Sequence, residues 1–255
     1  MSLVGVVCED PTLEFPTQVP WEECLGCAAT WNNPCSMTYP LLRVIKEDAD
    51  RPHSFPSVTS LNGCLRKSWI LHTHDYHEYP SSRIALLFGT WLHGMLETSN
   101  GAGIPELAVK WTTPDGFEVH GTADYYVPET RTLMDWKSAA SLWINRLPYD
   151  HHEVQINLYA FLLTNNELEP RVPVENLEMV YISKTGPDKK KNTHNGVVRK
   201  PVERWTGDRA RNYIIKRTWA LMSAINGELV LEKARQKWWC NYCPVVSICD
   251  QLPLP

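Results

Sequence analysis

The positions of eight cysteines constrain this chain more than any other feature of its sequence. They form an N-terminal group, one isolated residue and a C-terminal group: Cys8, Cys24, Cys27 and Cys35, then Cys64, then Cys240, Cys243 and Cys249. The segment Met1 to Asp10 lacks the basic and apolar regions of a secretory signal, so we expect a cytoplasmic protein. In a reducing compartment such cysteines bind metal or stay buried more often than they form disulfides.

Size and charge limit the class of protein. The chain has 255 residues, of which 43% are hydrophobic, which predicts one sizeable domain with a small appendage. Its apolar stretches fall far short of the ~20 residues that a membrane helix needs. A net charge of −4 argues against coating nucleic acid through bulk charge, so any DNA contact is local. The best local candidate is residues 184–211, for which a solvated loop is the alternative; its basic residues are Lys184, Lys189, Lys190, Lys191, His194, Arg199, Lys200, Arg204, Arg209 and Arg211.

A change of pattern near residue 57 divides the chain. Residues 1–56 are rich in proline, tryptophan and cysteine and show little periodicity, so we expect an irregular extension that metal ligation would help to order. Residues 57–255 are expected to form the main domain. Ser57 is positioned to cap a first helix, which would carry Val58, Leu61, Leu65 and Trp69, and a second helix is predicted over 83–97.

Alternation and turn signals predict a three-stranded antiparallel meander next, with strands at 106–113, 117–127 and 132–136. Helical spacing then predicts a helix over 152–163 and a long helix over 208–236. A strand over 177–183 and a polar hairpin tip or loop over 184–197 are expected between them.

Carboxylates and a lysine fall on two neighbouring predicted strands. Asp124 ends the sequence Gly-Thr-Ala-Asp on one strand, and Asp135-Trp136-Lys137 lies on the next. Residues two apart on a strand share a face, so Asp135 and Lys137 project together toward the face that Asp124 can reach. Phosphodiester hydrolysis at neutral pH needs a hard cation and a nearby positive charge. The set predicts one metal site, although D-x-K alone is a weak signal.

Two pairs of polar residues at helical spacing accompany this set. His93 and Glu97 are one turn apart on the second helix, and Gln155 and Tyr159 are one turn apart on the helix after Lys137. A buried structural histidine and the polar edge of a core helix are the alternative interpretations.

The order of these motifs, G-T-x-x-H-G, G-x-x-D, D-x-K and Q-x-x-x-Y, resembles that of RecB-like nucleases of the PD-(D/E)XK superfamily. The resemblance implies an α/β fold, with a restriction-endonuclease-like mixed sheet flanked by helices. It implies that Lys137 orients or activates the attacking water and that Gln155 and Tyr159 position the DNA backbone, while the role of Glu97 stays open. It also implies ligands for Mg²⁺ or Mn²⁺, which are His93, Asp124, Asp135 and the carbonyl of Trp136.

The cysteines extend the resemblance. One cysteine before the catalytic motifs and three after them is similar to the iron–sulfur staple of CRISPR-associated RecB-like exonucleases and of AddB-type nuclease domains. This implies a 4Fe-4S cluster that ties the two ends of the main domain together, with a four-cysteine zinc site as the alternative; its ligands would be Cys64, Cys240, Cys243 and Cys249. The N-terminal group lies outside that pattern. It suits a separate structural zinc site with His53 as a substitute ligand, a second cluster, or free thiols.

The expected function is therefore metal-dependent cleavage of DNA, by an exonuclease acting on single strands or free ends. The resemblance implies a role in recombination, phage DNA metabolism or CRISPR adaptation, with proteins of those pathways as partners. A non-catalytic, metal-stapled DNA-binding or adaptor module is one alternative. An accessory subunit of a helicase complex is another, since the chain has no G-x-x-x-x-G-K-S/T loop of its own.

Overall fold

The computed structural model describes residues 3–30, 33–98, 101–139, 146–187, 195–233 and 240–253. The chain forms two compact units. The first consists of Met1–His53, Cys64–Phe88 and Leu221–Pro255, and the second of Ser54–Gly63 and Gly89–Ala220. Most of the second unit is thus inserted into the chain of the first.

The described residues form helices and strands in the following chain order. They are β1 (Leu3–Val7), β2 (Gln18–Pro20), α1 (Trp21–Ala28), α2 (Tyr39–Ala49), α3 (Val58–Leu61), α4 (Leu65–Thr73), β3 (Tyr76–Glu78), α5 (Pro80–Glu97), β4 (Ile104–Thr112), β5 (Glu118–Val127), β6 (Thr132–Ala139), α6 (Asp150–Thr164), β7 (Asn176–Ser183), β8 (Val197–Val202), α7 (Gly207–Ile225) and α8 (Val246–Gln251).

The first unit contains a three-stranded sheet in the order β2-β1-β3. Its N-terminal part is not the irregular extension that we expected over 1–56, because two strands and two helices form there. Leu42 and Ile45 recur at helical spacing on α2, and both are completely buried. The indole of Trp21 donates a hydrogen bond to the carbonyl of Leu3, which ties α1 to β1. These apolar residues share one small core, whose members are Leu3, Val6, Trp21, Ala28, Leu42 and Ile45.

The second unit is built on a five-stranded sheet in the order β4-β5-β6-β7-β8. The strands β4, β5 and β6 form the predicted antiparallel meander. Strand β7 pairs with β6 in parallel, and α6 lies between the two in the chain as the crossover that a parallel pair needs. Strand β8 returns antiparallel to β7, so the sheet is mixed, as expected. Helix α6 packs on this sheet and is buried from Ile156 to Leu163.

Two helix boundaries differ from the prediction. Ser57 caps a helix as expected, with a reciprocal capping box to Ser60, but α3 ends after Leu61 and α4 begins separately at Leu65. Helix α7 ends at Ile225 instead of continuing to 236. Gly227 adopts a φ of 78° there, and its amide and that of Glu228 turn back to the carbonyls of Ala224 and Ser223. This is a glycine C-cap of the Schellman type, which stops the helix.

None of the described helices is long and apolar enough to cross a membrane.

Candidate active site

The site lies where strands β5 and β6 separate, a point that we call the fork. Their ladder ends at the pair Tyr125 and Met134, and β6 continues beside β7. Asp124 and Asp135 are the next residues of the two strands, and both are buried. Oδ2 of Asp124 accepts a hydrogen bond of 2.7 Å from the amide of Trp136. Because the β5–β6 pairing has ended here, the Trp136 amide has no partner on β5 and donates to the Asp124 side chain instead. This hydrogen bond fixes the carboxylate at the fork.

Three potential metal ligands converge on this fork. His93 on α5, Glu106 on β4 and Asp124 on β5 bring ligand atoms within 4.8 Å of one another, the only such group of three or more in the described part of the chain. Nδ1 of His93 lies 3.5 Å from Oδ1 of Asp124 and 3.6 Å from Oε1 of Glu106. Two carboxylates and an imidazole suit Mn²⁺, and the carboxylates also suit Mg²⁺.

Glu106 was not among the site residues predicted from the sequence. It stands across from Asp124, between the register pairs Pro105–Tyr125 and Leu107–Ala123. Its φ is 48°, a left-handed conformation that is rare for a residue other than glycine and costs free energy. This local distortion of β4 accompanies the placing of a third acidic side chain at the fork.

Asp135 and Lys137 form a buried ion pair beside these ligands. Asp135 is 1% exposed, and its Oδ2 lies 2.6 Å from Nζ of Lys137. The other oxygen, Oδ1 of Asp135, has no hydrogen-bond partner among the described residues, and the same holds for Oε1 of Glu106. Buried carboxylate oxygens without partners are costly. A hard cation bound between them would remove that cost, so the residues fit such an ion.

Without a cation, the surroundings of the fork raise the pKa values of Asp124, His93 and Lys137. Burial, and then the charge of Asp135, raise the pKa of Asp124 to about 7, although Lys137 and His93 oppose the shift. The nearby carboxylate of Glu106 raises the pKa of His93 against the effect of burial. Burial disfavours the charged form of Lys137, but Asp135 and Asp124 outweigh it, so its pKa lies above the ordinary value. Lys137 is therefore a positive charge at neutral pH and not a proton acceptor.

Tyr159 on α6 packs against β5 next to the site, and Gln155 on the same helix contacts Tyr159. The buried Tyr159 hydroxyl interacts with the side chains of Gln155 and Thr59, and its pKa is raised by burial and then by the two aspartates. Its ring passes so close to Gly121 that a Cβ at this position would lie 2.7 Å from it. The glycine of the G-x-x-D motif is therefore required for the packing of Tyr159 beneath β5.

A histidine pair at the start of α6 was also missed by the sequence prediction. Nδ1 of His152 lies 3.0 Å from the buried hydroxyl of Tyr181, and the rings of His151 and His152 lie 4.1 Å apart. Burial lowers the pKa of both, and the charge of Lys137 lowers them further. Both histidines are therefore neutral at neutral pH and leave Lys137 as the positive charge of this region.

Other predicted residues lie elsewhere. Glu97 is exposed at the end of α5 and does not belong to the ligand group. Lys189, Lys190 and Lys191 fall in 188–194, outside the described residues. The main chain of Trp136 lies at the fork, where its amide binds Asp124. The proposed ligand role of its carbonyl stays a prediction.

A second candidate site lies in the first unit. It consists of the isolated cysteine and the C-terminal group, which are Cys64, Cys240, Cys243 and Cys249. Burial raises the pKa of the Cys243 thiol, and the charges of Cys64 and Cys249 raise it further, so these three lie near one another. Cys240 is tied to the group through its carbonyl, which accepts a hydrogen bond from the Cys243 amide at 3.1 Å. Helix α4, which follows Cys64, packs against α8, which contains Cys249.

Arg66 lies at the centre of this second candidate site and is 1% exposed. Its Nε donates to the sulfur of Cys249 at 3.3 Å. The remaining guanidinium hydrogen bonds go to main-chain carbonyls, which are those of Leu231, Cys249, Leu252 and Pro253. No carboxylate of the described residues pairs with Arg66. The sulfur of Cys249 is thus the acceptor that could carry a compensating negative charge.

Comparison with known proteins agrees with this architecture. The family model described as the PD-(D/E)XK nuclease superfamily matches residues 102–250, which include Glu106, Asp124, Asp135 and Lys137 but not His93. The solved structure of a protein named SSO0001 has a TM-score of 0.53 at 17% identity, with 82% of this chain and 93% of that chain covered, which shows a similar fold. The solved structure of a phage-related exonuclease from Haemophilus somnus 129PT has a TM-score of 0.38 at 12% identity, with 67% of this chain and 81% of that chain covered.

A search of curated proteins finds no match. The family match, however, spans more than half of the residues and includes both strands of the fork. The chain belongs to the PD-(D/E)XK nuclease superfamily.

Proposed function

We propose that this protein is a deoxyribonuclease that depends on Mg²⁺ or Mn²⁺ and cleaves single-stranded DNA or DNA ends. One observation carries the proposal: Oδ1 of Asp135 and Oε1 of Glu106 are buried without a hydrogen-bond partner at the fork that also holds His93, Asp124 and Lys137. This arrangement is costly unless a cation binds there. Members of the superfamily are typically metal-dependent nucleases.

Each residue then has a task that its surroundings support. His93, Glu106, Asp124 and Asp135 would hold the cation, which supplies polarisation of the scissile phosphate and activation of a water. The amide of Trp136 keeps Asp124 in place through its hydrogen bond. Lys137, held protonated by Asp135, would orient the water and stabilise charge on the phosphate, since it is not a base at neutral pH.

Gln155 and Tyr159 act together in this proposal. The burial of Tyr159 and its contact with Gln155 fix the side of α6 that faces the aspartates. Gln155 is the more exposed of the two, so it is the one better placed to contact the DNA backbone.

The direct test is incubation of the full chain with end-labelled single- and double-stranded DNA, with Mg²⁺, Mn²⁺ or EDTA. We expect cleavage with either metal and none with EDTA, and the labelled products give polarity and mode. Binding of DNA without cleavage under all conditions would support the adaptor alternative. Cleavage only after addition of a helicase would support the accessory-subunit alternative.

The raised pKa of Asp124 predicts that metal binding depends on pH. Below a pKa of about 7 the carboxylate keeps its proton, which a cation must displace, so affinity should increase as pH rises through about 7. For one displaced proton the change approaches about tenfold per pH unit on the acid side. Calorimetric Mn²⁺ titrations at pH 6, 7 and 8 measure this. Equal affinity at pH 6 and 8 would contradict it.

Residues 184–211 remain a proposed contact for the DNA backbone. Strand β7 runs parallel to β6, and Ser183 at the end of β7 pairs with Ala139 at the end of β6. Residue 184 therefore leaves the sheet at the C-terminal end of β6, the strand that carries Asp135 and Lys137. Charge-neutral substitutions of Lys189, Lys190 and Lys191 should reduce the slope of log affinity against log salt by up to about 0.9 per lost contact on duplex DNA. An unchanged slope would indicate a solvated loop.

We also propose that Cys64, Cys240, Cys243 and Cys249 bind a 4Fe-4S cluster. The proximity of the cysteines and the buried Arg66 support a thiolate centre, since Arg66 needs negative charge and would receive it from metal-bound Cys249. A four-cysteine zinc site is the alternative. Iron, sulfide and zinc analysis with visible absorbance on anaerobically purified protein distinguishes the two metals.

The biological setting is proposed from the cysteine pattern and the nuclease motifs. Recombination, phage DNA metabolism and CRISPR adaptation all require trimming of DNA ends, and proteins of those pathways or a helicase would be the partners. Co-purification from the native host under mild salt conditions tests this directly.

A further inference from the structure

The four N-terminal cysteines have no part in the proposed cleavage, yet the structure brings them to one cavity. This cavity of about 110 Å³ lies within the first unit. Cys8 follows β1, Cys24 and Cys27 are one turn apart on α1, and Cys35 precedes α2; all four line the cavity. Its other walls are mostly apolar and include Val19, Ala28 and Met37. His53, the substitute ligand considered from the sequence, is not a lining residue.

The charges around these thiols favour a bound cation. The charged side chains that line the cavity are Glu9 and Glu23, both acidic, and the described lining includes no lysine or arginine. Burial raises the pKa of Cys24 to about 11, and the nearby Cys35, Cys8 and Cys27 contribute to the shift. A thiophilic metal ion would supply the missing positive charge.

The surrounding core gives such an ion a structural task. The apolar core that shares Ala28 with the cavity has six buried members, drawn from β1, α1 and α2. Small cores of this kind are commonly reinforced by a metal or by disulfides. Ligands from the end of β1, from α1 and from the segment before α2 would join the three parts of this core.

We infer that Cys8, Cys24, Cys27 and Cys35 form a structural tetrathiolate site for a single Zn²⁺ ion, separate from the C-terminal cysteines. The ion replaces four thiol protons, and no oxidation or reduction takes place. Tetrahedral zinc spaces its sulfur ligands by about 3.8 Å. No three of these described sulfurs lie within 4.8 Å of one another, so the ion must draw them together. Cys8 and Cys35 lie outside regular elements and can adjust, whereas α1 fixes Cys24 and Cys27.

Metal analysis of the full chain tests the site. Protein purified without chelators should contain about one zinc per chain, and the double variant Cys24→Ser, Cys27→Ser should lose it while keeping any iron. Cys64→Ser is the matched control, because it removes a cysteine of the other group and should keep the zinc. The same zinc content in the double variant as in the wild type, or no zinc in the wild type, would overturn the assignment.

A second measurement on the wild type covers the case in which the double variant does not fold. Maleimide labelling with peptide mapping should show Cys8, Cys24, Cys27 and Cys35 protected until a strong chelator is added. Labelling at equal rates with and without chelator, or a disulfide among the four, would contradict the proposal. The site shares no residue with the catalytic group. Failure here would therefore leave DNA cleavage untouched, and failure of cleavage would leave the zinc content unchanged.

Discussion

Replacing Asp135 with asparagine is expected to reduce DNA cleavage by at least ~10³-fold, since a carboxylate on the catalytic metal contributes several kcal/mol to the transition state and each 1.36 kcal/mol is tenfold in rate. Asparagine keeps the size of the side chain but removes the charge that holds both the cation and protonated Lys137. Single-turnover cleavage of an end-labelled strand with saturating Mn²⁺ measures the loss. Asp124→Asn should produce a loss of similar size.

Asp115→Ala is the matched control for this experiment. It removes an exposed aspartate from the turn between β4 and β5, in the same unit but outside the ligand group. It should cleave at the wild-type rate. If Asp135→Asn, with an unchanged thermal midpoint, kept more than a tenth of the wild-type rate, Asp135 would not be a catalytic ligand.

Replacing Arg66 with methionine is expected to destabilise the protein by about 3–5 kcal/mol, the range for removing one partner from a buried charged pair. The substitution leaves buried carbonyls without a donor, including those of Leu231, Leu252 and Pro253. It also removes the positive charge beside Cys249. If the proposed cluster is present, bound iron should fall together with the denaturation midpoint, because the guanidinium would compensate the charge of its thiolate ligands.

Two variants separate this role from a general loss of packing. Arg66→Lys keeps the charge but not the planar set of donors, so it should retain more iron than Arg66→Met. Arg217 in the second unit also donates to backbone carbonyls, those of Leu61 and Gly63, with no sulfur among these acceptors. Arg217→Met should therefore lower stability and leave the iron content unchanged. Equal iron in Arg66→Met and wild type would show that Arg66 does not serve the cysteine site.

The sequence predicted the parts of the site that depend on local periodicity. Asp135 and Lys137 share a face because they are two residues apart on a strand, and the turn before β6 brings Asp124 beside them. Glu106 could not be found in this way, because its position depends on the register of β4 against β5 and on a left-handed backbone. The early end of α7, in contrast, could have been read from Asn226-Gly227, a common helix stop.

Features that depend on contacts between residues far apart in the sequence were harder to predict, because local patterns do not specify such contacts. Parallel pairing of β6 and β7 is a contact across α6, and no local pattern specifies it. The helices and strands of residues 3–49 were missed because proline and cysteine obscured the spacing of Leu42 and Ile45. The grouping of cysteines along the chain was informative, but which metal each group binds depends on sulfur spacing in three dimensions.

The insertion of one unit into the chain of the other has a consequence for biosynthesis. From His53 to Leu221 the ribosome adds 168 residues, which takes roughly 10–30 s at ~5–20 residues per second. During that time β1, α1 and α2 are already complete and can acquire a zinc ion, while Cys64 and Arg66 wait for partners that have not yet been translated. The two cysteine groups would therefore be loaded at different times, the N-terminal group on the nascent chain and the C-terminal group last. If the C-terminal group binds the proposed cluster, a shortage of iron would act late, on chains in which β5 and β6 have already been translated.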